Sequence, residues 1–298
     1  MKRLLLAIIV LLPILSYSQK TQEAPPLYSL TINGSVAPFK ANGNNIAISQ
    51  TAVDFMFPVF NNLKSPRKSF LKAGIHYDGL FLSGEKQIGS NNFHTFGIPL
   101  QYTYILSPST NISAFGAAAV ASDFKESIKG KDIMYMGGVR IGFHQDRNLK
   151  YGISLVYADN YSGKYLMPVP DIDWTINSKW HISGMWPLSI KYNLTPTQSL
   201  SAVTTTNLGY GTYRVNSNNQ KSYLHLQQFT SGLNYNLKLK KGWNVNVGAG
   251  YAFDQKLQTF SNDQKIGLDK FDDLDKRIPT VSYKKSGMVY QVGISWAF

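Results

Sequence analysis

The sequence predicts an all-β fold: a single closed antiparallel transmembrane β-barrel of about 12 strands, with 14 left open. Three observations carry this. First, the last eleven residues separate two at a time into unlike sets. Met288, Tyr290, Val292, Ile294, Trp296 and Phe298 are apolar, while Gln291, Gly293, Ser295 and Ala297 are small or polar. Side chains alternate across a strand, so the stretch has one greasy and one slim face. Second, aromatic residues make up 13% and charged residues 16% of the chain, the latter well below the roughly one quarter of a soluble protein. Third, mean hydropathy is −0.18, and beyond the N-terminus no apolar run approaches the ~20 residues of a membrane helix. Interleaved polar and apolar residues with little charge are what a lipid-facing barrel requires.

The elements follow in order. Residues 1–18 read as an export signal, with Lys2 and Arg3 as its positive region, Leu4 to Leu15 as its apolar one and Ser16-Tyr17-Ser18 as a small-x-small cleavage site. Residues 19–26 form a short periplasmic lead-in ending at Pro25-Pro26, and 27–298 the barrel domain. Alternation predicts strands over 27–37, 46–57, 69–82, 95–106, 111–121, 133–144, 149–158, 180–194, 200–215, 223–237, 243–253 and 288–298. Residues 159–179 fit less well: Met167-Pro168-Val169-Pro170 suits a loop or an edge, and 171–176 a short strand. Two extra strands within 159–194 would give 14 and keep the even number that places both termini on one, periplasmic, side. Connections near 107–110, 146–148, 195–198 and 238–242 are short, and those near 83–91, 122–132, 159–179, 216–222 and 254–285 are long. That alternation is the barrel rule, broken only by the rather long connection at 58–68.

The chain has no cysteine, which removes disulfides, thiol nucleophiles and a lipid anchor. Its net charge of +13 falls to about +11 without the signal. The basic residues are scattered over turns, with no nucleic-acid motif, so lipid phosphates are a better partner than nucleic acid. Register puts Asp54, Lys72, His76, Asp78, Arg140, His144 and Lys191 on inward faces. Such residues either line a passage and steer a small polar solute, or pair across the lumen and hold it rigid. Single-residue bulges would reverse their facing.

No catalytic constellation is expected. The histidines are His76, His94, His144, His181 and His225, and only His181, on the strand of Ser183, comes near a Ser–His pair. No cofactor and no metal are expected either. Asp263, Asp269, Asp272, Asp273 and Asp275 cluster, but lysines intervene and EF-hand spacing is absent, so a solvated loop is the better reading.

Gln291, Gly293, Trp296 and the terminal Phe298 resemble the C-terminal signal of Gram-negative outer-membrane β-barrels. In such proteins this strand closes the barrel and is read by the barrel-assembly machinery. The whole chain resembles an uncharacterised, domain-of-unknown-function group of these barrels. The resemblance implies the cell outer membrane, with outer-membrane lipid and the assembly machinery as partners. The expected function is a narrow porin-like passive channel for small polar solutes. The alternative is a structural or adhesive barrel with an occluded lumen and ligand-binding loops, and a more distant one an outer-membrane lipid hydrolase.

Overall fold

The computed structural model describes residues 28–41, 44–65, 68–185, 188–206, 211–217, 220–268 and 276–297. The export signal and lead-in read from the sequence lie outside these residues, as do Asp269, Asp272, Asp273, Asp275 and Phe298. The strands are β1 (Ser29–Ala41), β2 (Asn44–Asn61), β3 (Ser69–Ser83), β4 (Asn92–Ser107), β5 (Thr110–Ser122), β6 (Ile133–His144), β7 (Leu149–Asn160) and β8 (Gly163–Thr175). They continue as β9 (Trp180–Met185), β10 (Ser189–Asn193), β11 (Gln198–Thr206), β12 (Thr212–Ser217), β13 (Gln220–Lys238), β14 (Trp243–Ser261), β15 (Val281–Lys284) and β16 (Gly287–Ala297). Each wall strand pairs antiparallel with its neighbours, and β1 meets β16 from Ser29↔Ala297 to Val36↔Tyr290. The ring is therefore closed. Its 14 members are β1 to β11, β13, β14 and β16.

Fourteen strands arise where the sequence left room for them. Residues 163–175 form β8, and the stretch read as one strand over 180–194 is the hairpin β9–β10. The prolines, which suit a loop or an edge, sit on an edge. Residues 149–160 of β7 pair with 174–163 of β8, but β9 reaches only Asp171 to Thr175. The Thr175 N–H points to the β7 side, donating to Asn148 O at 2.7 Å. Even-numbered residues of β8 therefore point their N–H groups the other way, and there Pro168 and Pro170 have none to offer. Proline is confined to such positions in a sheet.

Outward positions carry the apolar belt: Ile75, Ile98, Val139, Ile153, Leu233 and Val292 are 51–64% exposed. Apolar side chains left open all round a closed wall are what hydrocarbon solvates. Near the rim that holds the termini, the outward residues become aromatic. Trp243 stacks on Trp296 at 5.6 Å and Trp180 meets Tyr192 at 4.8 Å between ring centroids.

The inner face changes character with height. Toward the terminal rim it is polar, with Thr31, Asn33, Gln50, Gln101, Ser113, Ser201 and Asn246 among its side chains. Toward the far rim it becomes Ala37, Phe39, Ile46, Ile48, Leu80, Leu82, Phe93, Ala119 and Ala121, all at most 8% exposed. These pack against a sheet folded into the mouth. Register between β13 and β14 slips at Phe229/Thr230, where Ala252 and Asp254 face consecutive partners. A bulge bends its strand and raises the local twist. Beyond it the ends of β13 and β14, flanked by β12 and β15, bring Tyr213, Val215, Leu224, Leu226, Leu257 and Tyr283 onto that apolar lining.

Candidate functional site

The site is the lumen and its closure. In the polar half, carboxylates are held by dedicated partners. Arg140 donates from Nε to Asp171 Oδ2 at 2.8 Å and from Nη2 to Asp171 Oδ1 at 2.6 Å, a two-pronged contact, and from Nη1 to Asn111 Oδ1 at 3.2 Å. The guanidinium lies flat on the wall because glycines make room: a Cβ on Gly142 would come within 2.1 Å of Nη1, and one on Gly152 within 2.6 Å of Nη2. His76 Nδ1 lies 2.7 Å from Asp54 Oδ1, and His181 Nε2 lies 2.9 Å from Asp173 Oδ1. Asn111 Nδ2 is 3.2 Å from His144 Nε2. Ammonium groups on this face include that of Lys72, which sits 5.6 Å from the Phe70 ring centroid, and that of Lys191.

The opposite wall is rich in amides, with Lys238 at its terminal rim. Asn33, Asn234, Asn236, Asn246 and Gln291 lie on β1, β13, β14 and β16, and the Gln291 amide donates to Asn234 Oδ1. Glycines again leave the space, since a Cβ on Gly293 would lie 2.3 Å from Asn33 Oδ1.

The folded-in sheet is fastened to the wall it faces. The Tyr213 hydroxyl donates to Asp78 Oδ2 at 2.9 Å, and its ring lies 5.6 Å from that of Phe93. At its edge β12 meets β5 at Arg214↔Ser122, the Asp123 N–H donates to Arg214 O at 3.2 Å, and the Asn216 N–H to Asp123 Oδ2 at 3.1 Å. Arg214 forms a buried ion pair with Asp132, beside which the Tyr161 hydroxyl donates to Asp132 O at 2.6 Å. On the other flank the Tyr283 hydroxyl donates to Glu85 Oε1 at 3.0 Å. Burial pushes the Tyr161 hydroxyl up to about 12, with the Asp132 charge adding to it, and raises that of Tyr213. Both therefore stay protonated donors at any physiological pH.

Seven residues singled out in the sequence share the inward face: Asp54, Lys72, His76, Asp78, Arg140, His144 and Lys191. They do not form one cluster. Asp54 and His76 pair on β2–β3, Asp78 belongs to the closure, and Arg140 and His144 share Asn111. Asp171 and Asp173 are missing from the expected inward set because 171–176 reads only as a short strand of open register, although Leu166, Ile172 and Trp174 alternate there with Met167, Asp171 and Asp173. Tyr213 and Arg214 escaped it because one expected strand over 200–215 divides into β11 and β12. Of the closing signal, Gln291 and Gly293 face inward and Trp296 outward. Ser183 stands opposite Asp173 on β8–β9, and among the described residues no hydrogen bond joins it to His181.

A family model described as "Domain of unknown function (DUF6268)" matches residues 40–297. No curated protein matches the sequence. Among solved structures, the KdgM porin is similar at 9% identity and TM-score 0.38, covering 91% of this chain and 99% of that one. The Pseudomonas putida toluene transporter TodX is similar at 8% identity and TM-score 0.42, covering 93% and 91%. The translocator domain of the autotransporter NalP from Neisseria meningitidis is similar at 12% identity and TM-score 0.36, covering 100% and 94%.

Proposed function

Since the chain belongs to the DUF6268 family of domains of unknown function, we propose a function from its own geometry: a porin-like outer-membrane barrel whose lumen takes small polar solutes and is shut at one end. The observation that carries this is the change along the inner face, from amides, hydroxyls and paired charges to side chains at most 8% exposed. The polar half suits hydrated solutes. The apolar half fills the mouth, so a solute crosses only when the folded-in sheet releases its wall. On this reading the export signal at 1–18 delivers the chain to the envelope, Gln291, Gly293, Trp296 and Phe298 present it to the assembly machinery, and the terminal rim faces the periplasm. Asp54, Lys72, His76, Arg140, His144 and Lys191 then line the entrance.

Purified barrel in planar bilayers tests this. The expected record is a silent baseline with rare, brief, salt-proportional steps that become frequent when the closure is weakened. Complete silence in both native and weakened protein would favour the second reading, a structural barrel with an occluded lumen, which the buried seal between β12 and β5 also supports.

A further inference from the structure

The wall is not equally tall all round. A strand needs about 9–11 residues to cross a bilayer, yet β9 has 6 and β10 has 5. Above this low hairpin, residues 165–170 of β8 have β7 on one side and, among the described residues, no ladder partner on the other, while Gly163 bridges to Ile266. The gap lies within the apolar belt: Ile153 and Leu155, 51% and 47% exposed, pair with Pro170 and Pro168. A bare strand edge in lipid is costly because its N–H groups find no acceptor. This edge is adapted to being bare. Pro168 and Pro170 have no N–H to lose, and the Lys164 N–H above them donates to Ile266 O at 3.0 Å. Ile266 approaches so closely that only a glycine fits at 163, with φ +144 and a Cβ position 2.4 Å from Ile266 O.

The inner face beside the gap differs from the rest of the polar half. Met167, Val169, Met185 and Val203 hold inward register there. Met185 is 51% exposed despite facing inward, so it borders open space. Flexible thioethers beside branched side chains adapt to apolar ligands of varied shape. We propose that the gap between β8 and β11 is a lateral doorway, through which a slender apolar chain, such as a lipid acyl chain, reaches the lumen from the bilayer. The doorway rests on the reading that the barrel spans a membrane, and is independent of whether polar solutes cross it end to end.

The chain has no cysteine, so single cysteines can be labelled without background. A fluorophore is placed at Met167→Cys or Val203→Cys beside the gap, at Ser35→Cys on the inner face of β1, and at Ile153→Cys on the outside. Each labelled barrel is reconstituted in phosphatidylcholine whose acyl chains carry bromine, a contact quencher. Quenching at Ile153 and none at Ser35 set the two limits, and labels at Met167 and Val203 are expected nearer the Ile153 limit. Adding Met185→Trp, which fills the gap, should move them toward the Ser35 limit. Met167 and Val203 labels as unquenched as Ser35 would overturn the doorway. An unquenched Ile153 label would instead overturn the membrane-spanning reading beneath it.

Discussion

Tyr213→Ala tests the closure most directly. Releasing the sheet from its wall exposes at least Tyr213, Val215, Leu224 and Leu226, each at most 1% exposed when closed. At roughly 1.5–3 kcal/mol per large apolar side chain, that is roughly 6–12 kcal/mol in favour of the closed form. With about 1.4 kcal/mol per tenfold, the open form is rarer by about four to nine powers of ten. Truncating a buried aromatic costs about 3–5 kcal/mol, and Asp78, left without the 2.9 Å hydroxyl donor, adds about 1–3 kcal/mol. The loss falls on the docked sheet, since the wall keeps its ladders, so the open fraction should rise by about three to six powers of ten. Tyr213→Phe keeps the ring on Phe93 and should yield at most about two of those powers. Single-channel recording of the three proteins measures this directly. Tyr213→Ala as silent as native protein, or native protein already conducting freely, would refute the reasoning.

Other outcomes follow from the same contacts. His225, on the folded-in part of β13, is held down to about 4 by burial and then by the Arg277 and Lys256 charges. Its unfolded form takes a proton first as pH falls, so native stability should drop from about pH 6.5 down to about pH 4, by at most about 3 kcal/mol. His225→Gln should flatten that dependence in melting curves taken across the range. Asp171→Asn breaks the two-pronged contact and leaves the half-buried Arg140 under-neutralised, costing about 1–3 kcal/mol. Its melting temperature should fall, and adding Arg140→Gln should recover part of the loss. Pro168→Ala with Pro170→Ala restores two N–H donors to a bare edge in lipid. Size-exclusion chromatography should then show dimers joined edge to edge, and a purely monomeric double variant would count against the bare edge.

Much of the wall was legible because its signal is local. Where both faces are distinct, as in Phe96 to Leu106 or Trp243 to Phe253, period-two alternation fixes which residues meet lipid, and the ladders follow it. The split at 180–194 was not, since apolar alternation from Trp180 to Leu194 runs through the boundary between β9 and β10, and Gly184 and Pro187 fit a strand on an edge as well as a turn. The prolines of β8 left two readings open for a physical reason: they mark an edge as readily as a loop, and only the length of the neighbouring strand decides between them. The closure was invisible for another. Leu224 and Leu226 read like any inward residues, and nothing within a few positions announces that a bulge at Phe229/Thr230 will turn them onto the far wall. Of the lumen, facing could be read and pairing could not, because Arg140 and Asp171 stand two strands apart.

The fasteners of the closure also set an order of events during assembly. Neighbouring wall strands zip through short connections, whereas Tyr213 and Asp78 are 135 residues apart, and Tyr283 and Glu85 are 198 apart. Contacts of such long separation wait until the intervening chain is already in place. Ring closure through Ser29↔Ala297 spans the chain nearly end to end and waits in the same way, so on the proposed reading a ring that closes before its sheet docks conducts until docking shuts it.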